Sequence, residues 1–182
     1  PDILSIHLSS GLSGTFNAAV QAASEVKGAS IHLIDTLTLS AGTAWQVRAA
    51  AEMVKANLSK ENILAKLRQI QDASSCFFTL PDLKYLIAGG RISHLKGLLA
   101  SLLGIKPVIE VSKKDGKYYD VGKKRSFQKA IESIAESIGS VIPVGSRIQA
   151  QVVTASNPSG AELLKQAMDK SFNVEWLPVV TL

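Results

Sequence analysis

The chain has 182 residues, 46% of them hydrophobic, with 20 Lys and Arg against 15 Asp and Glu; with a mean hydropathy of +0.18 it has the apolar surface for a packed core and is not a disordered segment. Aromatics make up 5% of it and no basic run is interleaved with them, which disfavours nucleic-acid binding. Cys76 is the single cysteine, which excludes an internal disulfide framework or multi-cysteine metal site and fits a reducing, cytoplasmic setting; no apolar run reaches the roughly 18 residues of a membrane span, and the first residues lack the basic start of a signal peptide.

Ile3, Leu4, Ile6 and Leu8 predict a first strand, followed by a Ser/Gly-rich loop and an Ala-rich helix that ends at Gly28. The unit then repeats. "SIHLIDT" (30–36) predicts a second strand, "LTLSAG" (37–42) a turn, and residues 44–56 a helix with Ala44, Val47, Ala51 and Val54 spaced for one face. Strands alternating with helices imply a parallel sheet. A third helix, "KENILAKLRQIQDA" (60–73), follows Ser59, a good N-terminal cap, and a strand "SCFFTL" (75–80) precedes a break at Pro81.

Beyond Pro81 the pattern changes to "KYLIAGGRIS" (84–93), a leucine-rich segment, a hairpin signal "KDGKYYDVGKK" (114–124) and a helix "SFQKAIESIAESI" (126–138). "RIQAQVVTA" (147–155), a helix "SGAELLKQAMDKS" (159–171) and a strand "NVEWLPVV" (173–180) complete the order. A hairpin mixed with helices places a second domain from residue 83, giving domains 1–82 and 83–182.

The loop Ser9-Ser10-Gly11-Leu12-Ser13-Gly14-Thr15 falls where a parallel strand ends and a helix begins, the place where open α/β sheets hold ligands. Helix-start amides carry partial positive charge and hydroxyls add rotatable donors, so the implied ligand is a carboxylate or a phosphate. No Gly-Lys-Ser/Thr follows, so it is not a Walker A loop, and it lacks the Gly-x-Ser-x-Gly of a hydrolase elbow. Helix capping by Ser13 or Thr15 explains the same residues without a ligand. The second loop offers Asp35, Thr36, Thr38 and Ser40, which read as helix cap or loop support; a hard-metal site needs more carboxylates.

Arg91 follows two glycines, where a guanidinium can be aimed into a crevice, and Arg125 precedes a helix. Each is either an anion ligand or a surface ion pair. Leu95, Leu98, Leu99, Leu102 and Leu103 recur at helical spacing, as core packing or as the wall of an apolar tunnel. His7, His32 and His94 lack a carboxylate at catalytic spacing, so no triad or zinc site is assigned; His94 stands near Arg91. The basic run 112–126 reads as a solvated loop or a docking patch.

Taken in order, "IHLSSGLSGTFNAA", "LIDTLTLSAG", "TLPDLKYLIAGGRIS" and "LLGIKPVIEVSKKDGKYYDVGKKRS" make the chain resemble the DegV family, bacterial fatty-acid-binding proteins that serve as the acyl-carrying subunit of fatty acid kinase. The resemblance implies an α/β fold with a three-layer, parallel-sheet N-terminal domain and a smaller α/β domain with a mixed sheet. It further implies a long-chain fatty acid in an apolar tunnel between the domains, its carboxylate held by hydroxyls and presented to a separate kinase. Ser9 or Ser10 would supply one hydroxyl, Gly11, Ser13 and Gly14 would shape the loop, and Arg91 and Arg125 would lie near the carboxylate and serve the kinase. No catalytic residue, metal or cofactor and no stable membrane insertion is implied. A Thr-Ser-Gln-Pro-Ser loop before residue 1 and a His-x-Gly-Pro-Gly segment after residue 182 are expected family elements outside this chain, which is therefore read as a fragment. The alternative from residue chemistry alone is an enzyme or binding protein for a small phosphorylated or carboxylated metabolite held by the same loop.

Overall fold

β1 (Asp2–His7) and β2 (Ser30–Asp35) pair in parallel, Asp2 opposite Ser30 through His7 opposite Asp35. The connection between them is α1 (Thr15–Glu25), the crossover that a parallel pair requires. After β2 come α2 (Ser40–Lys55) and α3 (Lys60–Ala73). α2 starts inside the segment read as a turn, with Ser40 at φ 53. α3 starts where expected, the Ser59 hydroxyl accepting from the Asn62 amide at 3.3 Å. The structure, a computed structural model, describes residues 1–95 and 104–181, apart from the His94 side chain. The expected leucine stripe from Leu98 to Leu103 lies outside the described residues.

The N-terminal core follows from two periodicities. Leu4 and Ile6 of β1 are two apart and share a face, while Ile63, Leu67 and Ile70 of α3 line one helical stripe. With Ile34, Ala50 and Met53 they form one apolar cluster in which Leu67 is 2% exposed. His7 points to the other face of the strand, where its ring meets Phe16 of α1 edge-on at 6.0 Å. Different helices therefore cover the two faces of β1, a helix–sheet–helix layering.

The remaining elements are β3 (Cys76–Thr79), α4 (Lys84–Ala88), a 3₁₀ turn (Arg91–Leu95), β4 (Lys106–Val111), β5 (Tyr118–Lys124), α5 (Phe127–Gly139), β6 (Arg147–Ala150), β7 (Val153–Thr154), α6 (Pro158–Asp169), β8 (Asn173–Trp176) and β9 (Val180–Thr181). β3, β4 and β5 form a sheet in that order, and β6 with β8 and β7 with β9 pair in parallel. Fully buried Val108 and Ala130 pack with Ile134, and Met168 and Phe172 close a second cluster on Ala135. Ser126 and Asn157 cap α5 and α6 through the amides of Lys129 and Gly160.

The chain forms two compact units, residues 1–76 with 111–118, and residues 77–110 with 119–182. The tip of the β4–β5 hairpin thus belongs to the N-terminal unit. Among the described residues no helix is long and apolar enough to cross a membrane.

Candidate functional site

Beyond β1 the chain turns at once. The Ser9 carbonyl accepts from the amides of Leu12 and Ser13, both at 3.1 Å, winding residues 9–13 into a tight loop. Ser9 itself is fully buried. Its hydroxyl donates to the Gly116 carbonyl at 2.8 Å and accepts from the Gly11 amide at 3.1 Å, while its own amide donates to the Thr38 carbonyl at 2.8 Å. One serine therefore joins the first loop, the loop after β2 and the hairpin tip.

Asp35 completes the frame. Its carboxylate accepts from the Ser10 amide at 3.2 and 3.3 Å and from the Leu37 amide at 3.0 Å. Of the roles open to Asp35 in the sequence, this is loop support.

Close approach explains two glycines. A Cβ on Gly11 would run into the Asp115 carbonyl oxygen and lie 3.0 Å from both the Gly116 carbonyl carbon and Cγ of Lys117. At Gly116, whose φ is +64, a Cβ would run into the Ser9 hydroxyl and lie 3.2 Å from the Leu37 Cα. The turn that brings Gly116 here is closed by its amide donating to the Ser112 carbonyl at 2.8 Å.

Ser9 and Ser10 thus differ. The Ser9 hydroxyl is used inside the protein, whereas the partly buried Ser10 hydroxyl has no hydrogen-bond partner among the described residues. Gly14 is the α1 N-cap and provides no side-chain cap, and the first turn of α1 holds no acidic residue. Ser13 does part of the capping work: its hydroxyl accepts from the Thr15 amide at 3.3 Å and meets the Thr15 hydroxyl at 2.7 Å. The remaining first-turn amides of α1, which starts at Thr15, five residues along the chain from Ser10, have no side-chain cap and keep their partial positive charge.

Arg91 and Arg125 belong to the second unit. Both are exposed; Arg91 donates to the Gly89 carbonyl, and Arg125 has no hydrogen bond or ion pair among the described residues. Much of the basic run is engaged, with Lys113 donating to the Asp72 carbonyl at 2.8 Å, Lys123 paired with Asp120 at 3.1 Å and Lys124 with Glu136 at 3.1 Å.

Next to the loop frame, a cleft is lined by Thr36, Thr38, Gln46, Gln71, Cys76 and Lys113, among others. Desolvation pushes the Cys76 thiol up to about 11, against a smaller opposing effect of its hydrogen bond with Thr38, so it stays protonated and is a poor nucleophile at neutral pH. Gln46 is 1% exposed and donates to the Thr36 carbonyl at 3.3 Å, its Oε1 unpaired. Among the described residues no group of three or more His, Cys, Asp or Glu could hold a metal ion.

Gly116 and Lys117 are site residues that sequence reasoning missed. Asp115-Gly116 signals a turn, and nothing local says that the turn docks on residues 9–11.

The model of the uncharacterised-protein family DegV matches residues 1–182. A DegV domain-containing protein of Deinococcus radiodurans is 34% identical over 175 residues, covering 96% of this chain and 61% of that protein. A fatty acid-binding protein of Thermotoga maritima is 33% identical over 174 residues, covering 94% of this chain and 59% of its own. Among solved structures, a fatty-acid-binding DegV family protein of Thermus thermophilus superposes with a TM-score of 0.83 at 29% identity, over 100% of this chain and 64% of its own. This chain thus spans about three fifths of the length of the curated relatives it matches. With a model matched from its first residue to its last, the chain belongs to the DegV family.

Proposed function

We propose that this protein binds a long-chain fatty acid in an apolar tunnel and presents the carboxylate to a separate kinase, taking no catalytic part itself and needing no cofactor. The observation that carries the reading is the free Ser10 hydroxyl, held in a loop where the neighbouring Ser9 hydroxyl and the Ser10 and Gly11 amides are committed to internal bonds. In this reading Ser10 donates to the carboxylate near the only partly capped start of α1, Gly11, Ser13 and Gly14 hold the backbone close, and Ser9 keeps the loop in shape. Arg91 and Arg125, exposed cations of the second unit, meet the kinase and the phosphoryl group it transfers. The setting is the cytoplasm, whose reducing poise fits a chain with Cys76 as its single cysteine.

The energetics favour such a ligand. An acyl chain of about 14 methylenes at about 0.8 kcal/mol each offers on the order of 11 kcal/mol of gross transfer energy, before the costs of association. Its carboxylate cannot be buried unpaired, so the tunnel must end in donors. Relatives described as fatty-acid-binding, in Thermotoga maritima and Thermus thermophilus, support the same ligand class.

Thermal unfolding distinguishes this ligand from a small metabolite. Oleate at a hundredfold excess over its Kd stabilises the protein by about 2.7 kcal/mol and raises Tm. A Tm unmoved by oleate or palmitate but raised by a soluble phosphorylated or carboxylated metabolite reverses the assignment.

A further inference from the structure

Asp35 places a negative charge beside the loop, its oxygens 3.2 and 3.3 Å from the Ser10 amide. A carboxylate arriving at the Ser10 hydroxyl meets that like charge, and a nearby cation would offset it. Within the N-terminal unit the hairpin tip brings lysines to this place. Lys113 is turned to the Asp72 carbonyl. Lys117 is not: its Cγ would stand 3.0 Å from a Cβ on Gly11, so its aliphatic stem runs along the loop backbone. The Lys117 amide is fixed by the Asp115 carboxylate at 3.2 Å, which sets where the stem departs. Its ammonium has no hydrogen bond or ion pair among the described residues.

We infer that Lys117 is the charge partner of the ligand's carboxylate at the Ser10 loop, and that it gives the site its preference for an acid over a neutral head group. The inference rests on the fatty acid reading above. The stem packs on Gly11 and positions the charge; the ammonium supplies long-range attraction that the Ser10 hydroxyl, a neutral donor, cannot. An exposed ammonium is also screened by salt, so its contribution falls as ionic strength rises.

The test compares oleate with oleyl alcohol, which share a chain and differ in the head. Affinities are measured for the unaltered protein, Lys117→Met and Lys117→Arg. Methionine keeps an unbranched stem against Gly11 and removes the charge; arginine restores it. Lys117→Met weakens oleate by about two- to fivefold, as expected for one exposed, partly screened charge, leaves oleyl alcohol unchanged, and flattens the salt dependence of oleate binding; Lys117→Arg regains the preference for the acid. Equal losses for both lipids would reduce Lys117 to a support of the loop, and an unaltered oleate affinity would remove it from the site; either result overturns the inference. The unaltered protein serves as the separate check: if it binds neither lipid, the fatty acid reading itself fails and takes this inference with it. If it binds oleate and Lys117→Met keeps the same ratio of the two affinities, the inference alone fails.

Discussion

Gly116→Ala is expected to lower unfolding stability by about 2–4 kcal/mol, combining the left-handed backbone cost with overpacking of a buried contact. The added methyl group has nowhere to go, because the Ser9 hydroxyl and Cβ occupy its position and the Leu37 Cα stands behind them. Relief requires the hairpin tip to withdraw from the loop, which breaks the bond from Ser9 to the Gly116 carbonyl. Lipid binding should fall with it. Gly28 is the natural control: at φ +85 it has nothing within 4 Å of its would-be Cβ, so Gly28→Ala carries only the backbone cost of about 1–2 kcal/mol. Denaturant unfolding of the two variants separates collision from strain. Equal losses would show that the hairpin tip does not press on Ser9.

The second large effect separates the two neighbouring serines. Ser10→Ala should weaken oleate binding by about ten- to a hundredfold, the worth of a hydrogen bond to a charged group, while leaving stability unchanged because its hydroxyl has no internal bond. Ser9→Ala should do the reverse at first order. It leaves the Gly116 carbonyl and the Gly11 amide without their partner, a loss of about 1–3 kcal/mol for a buried group, and affects oleate only through the loop's shape. Titration with oleate alongside denaturant melts reads both. An oleate affinity untouched by Ser10→Ala would take that hydroxyl out of the site.

What the sequence makes legible here is local. The alternation of β1, the stripe Ile63, Leu67 and Ile70, and the Ser59 and Ser126 caps each arise from residues a few positions apart, where period and capping chemistry act directly. Smaller departures have equally local causes. The run "NVEWLPVV" is two short strands, β8 and β9, divided at Pro178, which has no amide to donate. α6 begins at Pro158, its first-turn position, with Asn157 as its cap.

The candidate site is legible only in part for a physical reason. The loop residues proposed to meet the carboxylate, Ser10 to Gly14, are contiguous and can be read from composition, and Asp35 follows from its place at the end of the next strand. The clasp that gives Ser9 and Ser10 different jobs joins residues 107 positions apart. No periodicity or turn rule encodes that pairing. The same holds for the grouping of residues 111–118 with the N-terminal unit, since the hairpin pattern specifies a turn and not the surface on which it rests.

The central claim is that the ligand is a long-chain fatty acid. The most direct measurement is mass spectrometry of lipid released by denaturing protein purified without detergent, followed by uptake of added oleate or palmitate. A single class of long-chain fatty acid, released in near-stoichiometric amount and replaced by the added acid, is the expected result. Release of no fatty acid, with no uptake of either one, would contradict it.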